Sequence, residues 1–217
     1  MRPHRLEIAI ILLPFMLASA GCVGLTAQLL YVIKGDPQIP ANYTGLEDKK
    51  VAVVCVANNS SNYDPYSAST QLAYNVTSLL SKKVKNIKVV QPQKVNNWID
   101  SNSWNQIDFR EIGKGVQADM VVGIDLIGFR LHEGSTLYQG KATARVRVFD
   151  MKKQGEIVYK CEIDDFTFPA NGGKHITDTN DRQFQARFVL ELANHIGRHF
   201  YPHAVKEDFA YDATILE

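Results

Sequence analysis

The second half of the chain fixes most of what it can become. Three long runs, Met120 to Leu131, Leu137 to Met151 and Glu156 to Phe166, are separated by short polar stretches containing His132-Glu133-Gly134-Ser135 and Lys152-Lys153-Gln154-Gly155. Polar glycine-containing tetrapeptides between strand-length runs signal hairpins, so the runs are predicted to be consecutive antiparallel strands. In the middle run Ala142, Ala144, Val146 and Val148 alternate with Lys141, Thr143, Arg145 and Arg147. In the third, Ile157, Tyr159, Cys161 and Ile163 alternate with Val158, Lys160 and Glu162. A strand turns successive side chains to opposite faces, which gives this sheet one apolar face and one charged face. The apolar face needs a cover. Phe184, Phe188, Leu192, Ile196 and Phe200 recur every four residues before Pro202, and this stripe predicts a closing helix laid on that face.

The first half of the domain reads differently. Val51-Ala52-Val53-Val54-Cys55-Val56 is a continuous apolar run of strand length, which suits a strand covered on both faces or nearly so. Leu72, Val76, Leu79 and Leu80 follow at helical spacing between Pro65 and the basic pair Lys82-Lys83. Ile87 to Val90 is a short strand stopped by Pro92, Val95 to Ile99 a helical turn, and Asn105 to Gln117 a further helix with Ile107, Ile112 and Val116 apolar. The order is β-α-β-α-β-β-β-α. It predicts an α+β fold, a two-layer sandwich in which helices cover one face of a mostly antiparallel sheet. With 45% hydrophobic and 22% charged residues among 217, disorder is excluded and one folded domain is expected. A formal charge of +1 removes the field that draws proteins onto nucleic acid, and no nucleic-acid partner is expected.

Ahead of this domain, Ile8 to Ile33 carries no charged side chain and follows a start containing Arg2, His4 and Arg5. Such a segment meets lipid, either as a spanning helix or as a signal sequence whose apolar block runs from Ile8 to Ala18. The block ends in Ala18-Ser19-Ala20-Gly21-Cys22, which resembles a bacterial lipobox, although Ser19 stands where leucine is usual. The resemblance implies cleavage before Cys22 and lipidation of its sulfur. Val23, rather than Asp, follows, which favours the outer membrane over inner-membrane retention. The expected organisation is a signal peptide over 1–21, lipidated cysteine and tether over 22–47, the α+β domain over 48–203 and a tail over 204–217.

The strand behind Lys49-Lys50, the segment "GVQADMVVGID" from Gly115 to Asp125 and the hairpin "ARVRVFDMKKQGEIVYK" from Ala144 to Lys160 resemble the periplasmic domain of the CsgG curli-secretion lipoproteins. The LpoB activator lipoproteins and the amino-terminal domain of TolB are similar in fold. The resemblance spans about 48–200 and its motifs specify backbone rather than chemistry. No insertion of amphipathic hairpins separates the core elements, so a membrane pore is not expected. What the resemblance and the amino terminus imply is a non-enzymatic, membrane-anchored accessory in secretion, assembly or cell-wall synthesis. Its partners would be the membrane, through the lipid, and an envelope protein; self-assembly through sheet edges is a further option.

Three residue sets are candidates for more specific roles. Arg145, Arg147, Lys160 and Glu162 on the charged face form a candidate docking surface. Glu191, His195 and His199 step by four along the last helix, the i, i+4 spacing that can hold zinc, and they carry the alternative of a cell-surface metal-binding protein or hydrolase. Against that alternative, these residues sit one position off the apolar stripe, where helices normally show polar side chains. Cys55 and Cys161, in apolar strand patterns, are candidates for a disulfide in an oxidising compartment. No nucleophile motif occurs, and no cofactor is expected.

Overall fold

The structure is a computed structural model that describes residues 37–57, 65–102 and 108–205. Cys22, Ile107, the signal segment and most of the tail lie outside the described residues, and with them the expected lipidation site. The strands of the main sheet and the α-helices are, in chain order, β1 (Lys50–Ala57), α1 (Pro65–Lys83), β2 (Lys88–Val89), α2 (Pro92–Asn102), α3 (Phe109–Gly115), β3 (Met120–Glu133), β4 (Leu137–Asp150), β5 (Glu156–Phe168), β6 (Lys174–His175) and α4 (Asp181–Gly197). The class is α+β, as the order of patterns predicts.

The main sheet runs β2-β1-β3-β4-β5, with β6 added beside β4. β1 is parallel to both β2 and β3, because each connection crosses over through helix, whereas β3, β4 and β5 form an antiparallel meander. The turn between β4 and β5 shows why the predicted hairpin forms. The Asp150 carboxylate accepts the Lys152 N–H, Gln154 takes φ 57° and Gly155 takes φ 76°, a left-handed conformation in which glycine carries no Cβ penalty. A side chain there would also collide with the Arg110 methylenes, 2.7 Å from an added Cβ.

One face of the sheet carries the main core. Val51, Val53, Val122, Ile124, Ala144, Val146 and Val148 pack there beneath α1 and α4. The stripe Phe184, Phe188, Leu192, Ile196 and Phe200 is buried throughout, and Phe188 stacks on Phe129 at 5.2 Å between centroids. α4 starts on Asn180, whose side chain accepts the Gln183 N–H at 3.0 Å.

The other face corrects one expectation. Helices cover both faces rather than one: α2 and α3 pack Val95, Phe109 and Ile112 against Ala52, Val54, Val121 and Phe149 in a second core. The continuous apolar run of β1 follows from this, since even-numbered and odd-numbered residues both need cover. The cover stops at the antiparallel half, where the outer face of β4 and β5 carries the charged residues. A bulge between Val148 and Phe149 breaks the alternation in β5 and leaves Ile157 40% exposed instead of in the core.

Candidate functional site

The sheet register brings the four predicted docking residues together. Arg145 lies opposite Glu162 and Arg147 opposite Lys160, all on the outer face. They are not equivalent. Arg145 Nε donates to Glu162 Oε1 at 3.0 Å in an exposed pair. Arg147 is half-buried, donates from Nη2 to Asp125 Oδ2 at 2.7 Å, and lies 5.4 Å and 5.5 Å from the ring centroids of Phe109 and Phe149. Its planar guanidinium closes the edge of the second core, a packing role that strand alternation alone assigns to solvent. Glu162 and Lys160 remain exposed, beside Arg145.

The histidine face of α4 is built into the fold. Tyr159 Oη and His199 Nδ1 share a hydrogen bond of 2.9 Å. Burial, and secondarily the charge of His203, push His199 below its ordinary value of 6.5, while burial holds the Tyr159 hydroxyl protonated. Tyr43 stacks on Tyr159 at 5.1 Å and its N–H donates to the His199 carbonyl at 2.9 Å, so this end of α4 anchors the chain entering the domain. His195 packs on Phe166 at 5.1 Å between centroids, and Glu191 accepts a hydrogen bond from Asn194 at 3.3 Å. Among the described residues no group of three His, Cys, Asp or Glu side chains lies where it could hold a metal ion.

The expected disulfide is contradicted. Cys55 and Cys161 are both free thiols. Cys55 lies on β1 and Cys161 on β5, with β3 and β4 between them. Three inter-strand spacings of about 4.8 Å put them about 14 Å apart, twice the reach of a disulfide. Burial pushes both thiols up, so neither supplies a thiolate at neutral pH.

A feature that the sequence patterns did not disclose is a cleft of about 370 Å³ at the carboxyl end of β1. Its floor is Val53 to Ala57; α1 lines it with Ser69, Thr70 and Ala73, and α2 with Val95, Ile99 and the exposed Asp100. The cleft exists because the chain order β2-β1-β3 sends α1 over one face and α2 over the other, which parts the two helices at the end of β1. The only advance signal is the brevity of the second strand before Pro92.

No family model matches the chain, and no curated protein matches it. Among solved structures, it is similar to a point-substituted PelC dodecamer from Paraburkholderia phytofirmans, at 11% identity and a TM-score of 0.43 over 76% of this chain and 98% of that one. Lipoprotein GNA1162 from Neisseria meningitidis is similar at 11% identity and a TM-score of 0.42 over 68% and 94% of the two chains. The LpoB C-terminal domain from Escherichia coli is similar at 13% identity and a TM-score of 0.35 over 54% and 82%. Each score is below 0.5, and no assignment is drawn from these likenesses.

Proposed function

We propose that this chain is a non-enzymatic lipoprotein of the bacterial envelope that holds its α+β domain beside a protein partner. One observation carries the reading: the apolar block from Ile8 that ends in Ala18-Ser19-Ala20-Gly21-Cys22. Acyl chains on Cys22 and the tether behind it restrict the domain to a thin shell at the membrane, which raises its effective concentration toward any partner fixed there. Val23 after the cysteine favours the outer membrane, with the domain in the periplasm.

The chemistry of the described residues supports adaptor over catalyst. The thiols are held protonated by burial, His199 is engaged with Tyr159, and Arg147 is engaged with Asp125 and two rings. The partner surface is the uncovered outer face of β4 and β5, where Arg145, Lys160 and Glu162 set orientation and encounter rate. In-cell photocrosslinking from position 160 tests this surface. A discrete adduct is expected when the photoreactive residue at 160 is the sole change, and adding Arg145→Glu is expected to abolish it without changing membrane fractionation. Undiminished crosslinking of Arg145→Glu contradicts the assignment of this face.

A further inference from the structure

The two edges of the sheet are built differently. β5 forms one edge and carries Glu156, Glu162, Asp164 and Asp165, charges that deter another strand from pairing. β1 forms most of the other edge, because β2 pairs with it at Lys50 and Val51 alone. Beyond Val90 the chain turns at Pro92 into α2, and a proline cannot donate to a ladder.

Two hydrogen bonds fix the phase of β1. Val90 N–H donates to the Val51 carbonyl at 2.8 Å on the β2 side, and Asp119 N–H donates to the Lys50 carbonyl at 2.7 Å on the β3 side. Odd-numbered residues of β1 therefore turn their main-chain groups to the open edge. Among the described residues no strand pairs with that edge beyond Val51, so Val53, Cys55 and Ala57 present N–H and C=O groups into the cleft at a repeat of about 6.6 Å. Buried main-chain groups of this kind normally have partners.

We propose that the cleft binds an extended segment of another protein, which adds to β1 as a strand. A regular donor and acceptor repeat of this length is complemented by an extended polypeptide. The walls complement its side chains: Cys55 packs with the main core on the α1 side and Val56 with the second core on the α2 side, so an added strand turns alternate residues to α1 and to α2. Small linings such as Ala57, Ser69 and Ala73 select small or medium apolar residues, and the exposed carboxylate of Asp100 selects a cationic residue at the mouth. The volume of 370 Å³ falls in the range of about 300–1,000 Å³ typical of ligand clefts. A second copy can offer two edges: β5 is acidic like the mouth of the cleft, and β1 pairing with β1 would bring two copies of the Asp100 carboxylate to one seam, so a partner segment carrying a cation is the better occupant. The lining of the cleft includes none of Arg145, Arg147, Lys160 and Glu162, so its occupancy is testable without the outer charged face.

The test uses the full chain in detergent micelles and a capped, fluorescein-labelled peptide, Lys-Val-Thr-Val-Ala-Val-Thr. Saturable binding is expected, with affinity at least about tenfold lower for the peptide N-methylated at the residues that pair, a difference of about 1.4 kcal/mol. Thr70→Trp, which fills the cleft, is expected to weaken binding by a similar factor. Asp100→Lys, at an exposed position, is expected to weaken the lysine peptide and improve its glutamate analogue; it keeps the test decisive should Thr70→Trp fail to fold. Hydrogen exchange is expected to show Val53, Cys55 and Ala57 amides newly protected by peptide. The proposal is overturned by no binding, by equal binding of the N-methylated peptide, or by indifference to Asp100→Lys. It is also overturned if those amides are already protected without peptide, or if sedimentation shows an oligomer that Thr70→Trp dissociates, since the occupant is then the chain itself or a second copy.

Discussion

Arg147 shows how far a residue's environment departs from its pattern position. Its alternation with Val146 and Val148 puts it on the polar face, yet it seals two aromatic rings and pairs with Asp125. Arg147→Ala is expected to cost about 1–3 kcal/mol in urea unfolding, by loss of packing and by leaving Asp125 unpaired near Cys55. Arg147→Lys is expected to recover only part, because an ammonium cannot stack as a planar guanidinium does. His199 yields a pH prediction. Its folded value lies below 6.5, so the unfolded chain binds the proton more readily, and the stability His199 contributes is full above 6.5 and lost as pH falls from there toward the folded value. Urea midpoints are expected to fall on acidification, and His199→Gln is expected to flatten that fall. Asp119 has the opposite origin. The Lys50 N–H at 2.9 Å, and then Lys152, hold its carboxyl below the usual range, so its contribution is full at neutral pH and is lost as pH falls from the ordinary carboxylate value through that lowered one.

At the scale of elements, what was legible followed from side-chain period. The four-residue stripe on α4 and the two-residue alternation on β4 each specify a face without knowledge of neighbours. Their contact is the most sensitive point of the main core. Phe188 is fully buried, and a Cβ added at Gly140 on β4 would sit 2.6 Å from its ring. Phe188→Ala is expected to cost about 3–5 kcal/mol and Gly140→Ala about 1–3 kcal/mol, with Gly140→Ala milder in a Phe188→Leu background. Unfolding midpoints of these variants check this. What was not legible depended on adjacency. Short helices such as α2 and α3 show apolar residues suited to either face, and only the fold assigns Val95 and Ile112 to the second core. The pairing of Cys55 with Cys161 failed for the same reason, since strand order is not written in either strand. The cleft is a further case: an open edge is a property of how far β2 extends along β1, not of β1 itself.

The whole molecule combines a folded α+β domain with an amino-terminal segment, Ile8 to Ile33, that carries no charged side chain. In the proposed function, the uncovered charged face and the cleft of the domain meet their partners because the chain is held at a membrane beside them. The anchor at Cys22 is therefore the claim on which the function depends. Metabolic labelling with an alkyne palmitate analogue in a Gram-negative host, followed by detection on the immunopurified protein, tests it directly. The account predicts label in the wild-type chain and its loss in Cys22→Ser, with the variant released from the membrane fraction or retained as an uncleaved precursor. An unlabelled wild-type chain that fractionates like Cys22→Ser would contradict it.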